Sequence, residues 1–382
     1  MFYDLPLDTP IQKIRWPEAG DNHIYIRRDD LLPYSFGGNK VRIAAAFMQD
    51  MKKKGCDALI MYGDRRSNLC RVLANMCSDE SVPCLMIATE EHADGTTPFN
   101  AKILEQFPVR VLPCPKNAIA ETVDRAFSIL RAEGMTPYYI YGDRTGSGNE
   151  GTAAQAYADA YRLIADWESV HKIRFDRFVV PYGTGSTQGG FLAGMIEAGD
   201  FRPLTGISIS SRTEQRALRI LEDTVTDGLR IRGFFQANEE KGTASASGLP
   251  LPHPLNQEER RERKEHRQDP VSDLPICESG RIHLETGYNC GGYGLYNEEI
   301  EQTIEQMLKL NSIPMDPTYT GKAFAGMIRY LADHNIRGEN ILFLHTGGLP
   351  LFFDHLAGKT KESPAEAYIQ TQTFFPQEDF FP

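Results

Sequence analysis

The 382-residue sequence lacks several features that mark particular classes of protein. No apolar run approaches the roughly 20 residues that cross a bilayer, and the first residues carry neither the basic nor the apolar part of a secretory signal. Basic residues are not in excess, since 41 Lys and Arg stand against 52 Asp and Glu and give a net charge of −11. We therefore expect a protein that binds neither membrane nor nucleic acid, because a nucleic-acid binder usually presents a basic face. A local basic pocket for a small anion remains allowed.

The cysteine spacing of a metal site or of a disulfide framework is also missing. The seven cysteines are odd in number and scattered, and none forms a C-x-x-C pair. They are Cys56, Cys70, Cys77, Cys84, Cys114, Cys277 and Cys290. Free thiols in a reducing cytosol are the simplest interpretation, so we expect a cytoplasmic protein without a metal site.

What is present is an alternation of two hydrophobic patterns. Hydrophobic residues make up 41% of the chain, enough for a sizeable core. Short β-branched runs predict strands at residues 58–62, 84–88, 109–112, 138–141, 178–181, 205–210 and 341–345. Helical spacing predicts helices at residues 41–54, 69–77, 119–131, 151–170 and 191–197. This alternation predicts an α/β protein with mainly parallel sheets and helices on both faces, and so many units fit two lobes better than one sheet.

One stretch departs from this pattern. Residues 236–275 are polar, rich in Pro, Ser and Gly, and contain a run of charges at residues 258–267. Such a composition predicts a surface insertion. A docking arm is the alternative to a solvated loop, and we assign the segment no chemistry.

The loop at residues 181–190 is rich in glycine and lies between a predicted strand and a predicted helix. Backbone N–H groups of such a loop can converge on one anion, and the N-terminus of the following helix adds a favourable dipole. Ser186 and Thr187 can add hydroxyl donors. The loop therefore predicts a phosphate site, although a turn that binds nothing has the same pattern. It is not a Walker A loop, because no G-K-[ST] follows.

Three polar residues lie where a predicted helix begins. Lys40 follows two glycines, and a lysine with a depressed pKa in such a position can form a Schiff base. Most lysines in a first helical turn are simply solvated. Ser67 and Asn68 lie between a predicted strand and a predicted helix, where helix capping is their usual role.

Glycine-flanked segments near the C-terminal end supply further candidates. The predicted strand at 341–345 ends in Thr346 and a glycine pair, at the strand edge where α/β proteins bind ligands. Tyr293 and Tyr319 lie on loops beside glycines. For a tyrosine on a loop, packing is a commoner role than catalysis.

In combination and order, these segments resemble the pyridoxal-phosphate enzymes of the tryptophan-synthase-β fold, fold type II. Within it the chain is most similar to the 1-aminocyclopropane-1-carboxylate (ACC) deaminase and D-cysteine desulfhydrase family. The matching motifs are R-R-D-D-L at 27–31, G-G-N-K at 37–40, S-N at 67–68, G-T-G-S-T-Q-G-G at 183–190, Y-G at 293–294, D-P-x-Y-T-G-K at 316–322 and H-T-G-G at 345–348. They span most of the chain in the family's order.

The resemblance implies an architecture. It is a two-lobed, three-layer αβα fold with mainly parallel twisted sheets. The large cofactor-binding domain would comprise residues 1–53 and 164–382, and the small domain residues 54–163. The family also leads us to expect a homodimer.

The resemblance further implies how pyridoxal 5′-phosphate is bound. Lys40 holds the cofactor as a Schiff base and later moves the Cα proton of the substrate, and Asn68 hydrogen-bonds the ring oxygen. The phosphate is bound by Gly183, Thr184, Gly185, Ser186 and Thr187. Thr346 lies beside the pyridine nitrogen. A hydroxyl there stabilises the protonated ring less than a carboxylate does, which suits elimination more than transamination.

For the substrate, the resemblance implies that Ser67 faces the carboxylate or acts in proton transfer, with Asn68 beside it. Tyr293 and Tyr319 close over the substrate and its β-substituent. We therefore assign catalytic roles to Lys40, Ser67, Tyr293 and Tyr319.

Two loops depart from the family pattern by gaining arginines. Arg65 and Arg66 precede the S-N motif, and Arg144 lies in a second G-D-R loop. A guanidinium suits bidentate contacts to carboxylate or phosphate, so we hypothesise that one of the three recognises an extra anionic group on the substrate. The alternative is that Asp64 and Asp143 hold these arginines in structural ion pairs.

The expected activity is that of a lyase or deaminase of amino-acid metabolism. An α,β-elimination on a small amino acid would give a 2-oxo acid and ammonia through an aminoacrylate. The arginines favour a specialised biosynthetic substrate over D-cysteine or aminocyclopropane carboxylate. Replacement at Cβ by a second nucleophile shares the aminoacrylate and is the main alternative, and racemisation needs only a second base.

A catalytically weak protein that keeps the cofactor pocket for sensing or structure is the alternative from another class. Ile43 stands where the family tends to have a basic residue, and Leu69 where it has a polar one, and both departures favour this interpretation. The intact lysine, serine and tyrosines argue against it.

Overall fold

The structure is a computed structural model that describes residues 7–89, 97–115, 117–146, 148–234 and 282–359. In that part of the chain, ten strands form two sheets, and ten α-helices pack around them. The segment predicted as an insertion, residues 236–275, lies outside the described residues, as does Cys277.

The larger sheet has six strands. In spatial order they are β1 (Ile11–Lys13), β2 (His23–Arg27), β10 (Asn340–Leu344), β7 (Arg177–Tyr182), β8 (Leu204–Ser208) and β9 (Ile282–Glu285). Only β1 runs antiparallel to its neighbour. Along β10, Leu342 and Leu344 belong to one hydrophobic core, whereas Ile341 and Phe343 belong to another. Because alternate side chains of a strand face opposite sides, both faces of this sheet are covered.

The smaller sheet has four parallel strands. In spatial order they are β5 (Val109–Cys114), β4 (Cys84–Thr89), β3 (Ala58–Gly63) and β6 (Pro137–Tyr139). Its buried residues join those on one face of the larger sheet in a single hydrophobic cluster, which contains Leu59 and Met86 as well as Leu342. The two lobes therefore share a continuous core.

The helices connect successive strands. They are α1 (Asn39–Lys53), α2 (Asn68–Asp79), α3 (Phe99–Leu104), α4 (Ile119–Ala132), α5 (Glu150–His171), α6 (Ser186–Glu197), α7 (Glu214–Ile231), α8 (Glu298–Asn311), α9 (Thr320–Asp333) and α10 (Leu349–Lys359). None of the described helices is long and apolar enough to span a bilayer. The six cysteines in the described ranges are free, and these ranges contain no group of three or more His, Cys, Asp or Glu side chains that could hold a metal ion.

The predicted α/β class and two-lobed fold are confirmed. All seven predicted strands are present with ends within two residues of the prediction, but β1, β2 and β9 were not predicted. The strand predicted at 138–141 stops at Tyr139, because the chain turns towards Gly142, which has a φ of 91° and bridges to Gly148. The residue limits of the two domains stay predictions.

The helix predicted at 191–197 was wrong at its start, since α6 begins at Ser186. Gly189 and Gly190 thus lie inside a helix rather than in the loop. A Cβ atom on Gly190 would be 2.2 Å from the carbonyl oxygen of Ala154 on α5, so close packing of the two helices requires glycine there. Glycines that indicate a loop in the sequence serve helix packing in the fold.

A buried cluster of charges joins the larger sheet to α1 and α5. The Oδ1 atom of Asp29 accepts hydrogen bonds from Thr9 (2.8 Å), Arg27 (3.2 Å) and Arg42 (3.0 Å). Its Oδ2 atom accepts from Arg42 (3.2 Å) and from the Tyr157 hydroxyl (2.6 Å). Burial alone would raise the pKa of Asp29, but Arg42 and Arg27 outweigh it and hold that pKa well below its ordinary value. Asp29 is therefore ionised and fixes the first turns of α1.

Replacing Asp29 with asparagine should cost about 3 to 5 kcal/mol of unfolding free energy, because two buried guanidinium groups lose their counter-charge. Urea denaturation of both proteins measures this difference. Glu133→Gln is the matched control, since Glu133 forms an exposed pair with Arg110 and should cost less than about 1 kcal/mol. Equal losses in the two variants would contradict the role given to Asp29.

The difference in unfolding free energy between wild type and Asp29→Asn should depend on pH. Because the folded-state pKa of Asp29 is lowered, its contribution is complete above the unfolded pKa of about 3.9 and is lost as the pH falls below it. The stability difference between wild type and Asp29→Asn should therefore shrink in acid.

Candidate active site

The turn that precedes Lys40 is built from consecutive residues with positive φ angles. They are Ser35 (42°), Phe36 (63°), Gly37 (67°) and Gly38 (95°). A Cβ atom on Gly37 would be 2.0 Å from the carbonyl oxygen of Asp30, so a side chain cannot be accommodated there. The Gly38 N–H donates to the backbone carbonyl of Asp29 at 2.8 Å. The turn therefore sets the start of α1 against the buried charge cluster.

Lys40 is the second residue of α1 and is partly buried. Its removal from water lowers the pKa of its amine to about 8. No hydrogen bond or ion pair joins this amine to another of the described residues. A substantial fraction is therefore neutral near physiological pH, and a neutral amine is a nucleophile. The general expectation for a lysine in a first helical turn, full solvation, does not hold here.

Asn39 connects the segment before Lys40 to two other predicted site segments. Its backbone N–H donates to the Thr346 carbonyl at 3.1 Å, and its side-chain amide donates to the Thr187 hydroxyl at 2.8 Å. A Cβ atom on Gly347 would be 2.5 Å from the Cα atom of Gly38, so the two glycine pairs pack backbone against backbone. The carboxyl end of β10 and the N-terminus of α6 are therefore both next to Lys40.

The segment between β7 and α6 has the geometry of an anion site. Gly185 is left-handed, with a φ of 87°, and directly precedes the 12-residue helix α6, whose first turn contains no acidic residue. The hydroxyls of Thr184 and Ser186 are 3.4 Å apart, and Thr187 is buried beside them. Unpaired backbone N–H groups and the helix dipole at such an N-terminus favour a phosphate.

Ser67 and Asn68 form the N-terminus of α2. The Ser67 hydroxyl accepts a hydrogen bond from the Cys70 N–H at 3.2 Å, which is the capping role that the sequence also allowed. The Asn68 side-chain oxygen accepts hydrogen bonds from Arg71 (2.9 Å) and from Asn100 (3.0 Å). Neither Arg71 nor Asn100 was predicted as a site residue. The i, i+3 spacing of Asn68 and Arg71 on one helix was the only signal available.

Tyr293 and Tyr319 form a pair at the edge of this site. Their hydroxyl oxygens are 2.8 Å apart, and a Cβ atom on Gly183 would lie 3.9 Å from the Tyr319 ring. Loss of water contacts raises the pKa of Tyr293 to about 12 and that of Tyr319 well above its ordinary value. Both phenols are therefore protonated at neutral pH and can donate hydrogen bonds.

Two buried residues hold the tyrosine pair in position. The Lys322 amine donates to the backbone carbonyl of Gly292, next to Tyr293, at 2.5 Å. The Asp316 carboxylate accepts from the Tyr319 N–H at 2.8 Å. The D-P-x-Y-T-G-K motif therefore ties both tyrosine loops together.

Two of the three predicted substrate-binding arginines are engaged in ion pairs. Arg65 pairs with Glu105 at 2.6 Å, and Arg144 pairs with Asp124 at 2.8 Å, in both cases on the surface. The role of both arginines in substrate binding stays a prediction.

Arg66 lies closer to the predicted site. Its carbonyl accepts a hydrogen bond from Asn100 at 2.7 Å, and its N–H donates to Asp64 at 2.8 Å. The Arg66 charge lowers the pKa of Tyr293 and also that of Asp354, although burial outweighs it at both groups. The guanidinium therefore lies within electrostatic range of Tyr293 and of Asp354.

The residues present fit pyridoxal 5′-phosphate. The left-handed Gly185 and the start of α6 suit a phosphate, the Lys40 amine suits an aldehyde, and the outward amide of Asn68 suits a ring oxygen. The hydrogen bond from the Asn39 side chain to the Thr187 hydroxyl brings the anion site and the Lys40 segment to one place.

Comparison with known proteins agrees with this fit. A model of the family described as pyridoxal-phosphate dependent enzyme matches residues 4–347. D-cysteine desulfhydrase from Yersinia pestis (strain Pestoides F) is 26% identical over 356 residues, which cover 90% of this chain and 92% of that protein. D-cysteine desulfhydrase from Yersinia enterocolitica is 28% identical over 358 residues, with the same coverage.

Solved structures show the same fold. An ACC deaminase homologue has a TM-score of 0.70 and 23% identity, covering 93% of this chain and 94% of its own. O-ureido-L-serine synthase has a TM-score of 0.61 and 14% identity, covering 97% and 98%. The predicted cofactor, enzyme class and fold type II architecture are thereby confirmed. The chain belongs to the family of pyridoxal-phosphate-dependent enzymes.

Proposed function

We propose that this enzyme catalyses α,β-elimination on a small amino acid and releases a 2-oxo acid and ammonia. The observation that carries the proposal is that a lysine with a lowered pKa lies next to a candidate anion site. Lys40 has a pKa of about 8, and its neighbour Asn39 is hydrogen-bonded to the first turn of α6. D-cysteine desulfhydrase relatives that cover 90% of the chain support elimination over other chemistry of this cofactor.

The cofactor would supply one property, since pyridoxal phosphate withdraws electrons from the Cα atom of the amino acid that is joined to it. In this proposal the phosphate is held by Gly183, Thr184, Gly185, Ser186 and Thr187. Asn68 would donate to the ring oxygen, and Thr346 would lie beside the pyridine nitrogen. A neutral hydroxyl at that nitrogen leaves the ring a milder electron acceptor, which favours elimination over transamination.

The chain's own groups then move the protons. Lys40, as a neutral amine, would take the proton from the substrate Cα. The Ser67 hydroxyl accepts from the Cys70 N–H, so its own hydrogen is left to donate to the substrate carboxylate. Tyr293 and Tyr319 are both protonated at neutral pH, so one of them would donate to the leaving group on Cβ while the other donates to its partner's hydroxyl.

Replacement at Cβ is the second candidate reaction. It would use the same side chains for the loss of the Cα proton and of the leaving group, and it differs only when a second nucleophile adds. Tyr293 is 46% exposed, which leaves this edge of the site open to a second small molecule. Ammonia and 2-oxo acid measured with and without added thiol distinguish the two reactions, since replacement consumes the thiol and lowers both products. A homodimer and a cytoplasmic location stay predictions.

The Lys40→Ala variant tests the cofactor attachment and the reaction together. The wild-type protein should show a visible absorption band that one group of D- or L-amino acids shifts while ammonia is released. Lys40→Ala should lose the covalent band and at least about 10³-fold in turnover, as expected for the removal of a nucleophile and base. Lys309→Ala, at a side chain 76% exposed, is the control and should behave as wild type. Covalent binding of the cofactor by Lys40→Ala would contradict the proposal.

The lowered pKa of Lys40 predicts how cofactor attachment depends on pH. The amine is charged below about 8 and neutral above it. The rate of covalent reconstitution of cofactor-free enzyme should therefore rise with pH and level off just above 8, rather than near the ordinary lysine value of about 10.4. Stopped-flow absorbance with pyridoxal phosphate measures this rate. A midpoint above 10 would be incompatible with the buried amine.

Arg66 is the arginine that we propose for an extra anionic group on the substrate. Arg66→Ala should raise KM about 10-fold or more for a substrate with a second carboxylate or phosphate, and leave KM for uncharged side chains unchanged. Steady-state kinetics over a panel of such pairs provide the comparison. Arg110→Ala is the control, because Arg110 lies on the surface in an exposed ion pair with Glu133. Unchanged KM for every accepted substrate would rule Arg66 out.

A further inference from the structure

Arg71 is a buried cation that no carboxylate balances among the described residues. Its side chain is 1% exposed and lies on α2, one turn after Asn68. Burial is the sole cause that lowers the pKa of Arg71, to about 10, so it is still charged at neutral pH. A charge buried without a counter-charge is costly. Arg27 and Arg42, in contrast, are each paired with the carboxylate of Asp29.

The acceptors that surround Arg71 are neutral. One guanidinium nitrogen donates to the side-chain oxygens of Asn68 and Asn100, both at 2.9 Å. The other lies 3.5 Å from the carbonyl of Gly37, in the turn before Lys40. The Nε atom has no hydrogen-bond partner in the described part of the chain.

This arrangement fixes the orientation of the Asn68 amide. A guanidinium can only donate, so the Asn68 and Asn100 atoms that face Arg71 must be oxygens. The Asn100 NH2 group is then directed to the Asn68 oxygen (3.0 Å) and to the Arg66 carbonyl (2.7 Å). Two donors therefore occupy the Asn68 oxygen, and the Asn68 NH2 group is left to donate elsewhere.

We propose that Arg71, together with Asn100, is a positioning residue that holds the Asn68 NH2 group towards the cofactor ring, and that an ionised ring oxygen supplies the negative charge that balances Arg71. This inference rests on the proposed placement of the ring beside Asn68. It accounts both for the buried cation and for the use of neutral amides around it. A carboxylate in place of either asparagine would neutralise Arg71 within the protein and leave nothing for the ring oxygen.

The test uses two probes that cannot react with Lys40. Pyridoxine 5′-phosphate has the ring hydroxyl and the phosphate but no aldehyde, whereas inorganic phosphate has only the phosphate. Arg71→Met should weaken pyridoxine 5′-phosphate binding at least about 10-fold and leave inorganic phosphate binding within about twofold. It should also raise the pH at which the bound ring hydroxyl ionises, read from ultraviolet absorbance, by about 1 to 2 units. Arg110→Met is the matched control at an exposed arginine.

A second variant covers the case in which Arg71→Met does not fold. Asn68→Asp can accept the same two hydrogen bonds and pairs directly with Arg71, so its thermal midpoint should stay at or above that of wild type. It presents an acceptor rather than a donor to the ring oxygen, so pyridoxine 5′-phosphate binding should fall at least about 10-fold. A folded Arg71→Met or Asn68→Asp protein with wild-type affinity and wild-type ring ionisation would overturn the inference.

A third variant separates failure of this inference from failure of the proposed site. If Asn68→Ala binds pyridoxine 5′-phosphate as tightly as wild type, the ring does not lie beside Asn68, and the proposed placement is wrong. If Asn68→Ala weakens binding and Arg71→Met does not, the placement stands and the role of Arg71 is wrong.

Discussion

The ionised carboxylate of Asp29 is the interaction on which the site depends. Its side chain joins Arg27 at the end of β2, Arg42 in α1 and Tyr157 in α5, and its backbone carbonyl accepts the Gly38 N–H. The larger sheet, the helices α1 and α5 and the turn before Lys40 are thus all connected to one buried carboxylate. Burial of an amine lowers its pKa. The Lys40 amine stays buried only if the backbone around it is fixed, and the contacts of Asp29 fix that backbone.

The described fold was largely predictable where the chain is locally periodic. Buried strands such as β3 and β7 are runs of apolar residues, and their pattern was sufficient. The three-residue β1 has too little pattern to detect, and β2 ends at Arg27, whose burial depends on its ion pair with Asp29. The start of α6 was wrong because glycines required by contact with α5 look like a loop in the sequence. In each case the missing information was a tertiary contact.

The same distinction applies to the candidate site. The motifs with reactive or anion-binding groups stand out in the sequence, and the structure brings the segments of Lys40, Asn68, Thr187 and Thr346 together. The supporting residues do not stand out. Asn100 contacts Asn68 across 32 residues of sequence, and Lys322 reaches Gly292 across 30. A buried lysine that binds two carbonyls cannot be told from a solvated one until the fold is known.

The close contact between α5 and α6 has a consequence for ligand binding. Cβ atoms at Gly190 and Gly194 would lie 2.2 Å and 2.7 Å from carbonyl oxygens of α5, so the two helices are packed backbone against backbone. The N-terminus of α6, where we propose that the phosphate binds, therefore belongs to a helix that α5 holds in place. On this proposal the phosphate meets a helix end that packing has already shaped, and binding loses less conformational entropy than binding to a flexible loop would. The packing of α6 against α5 would in this way contribute to the affinity for the phosphate group.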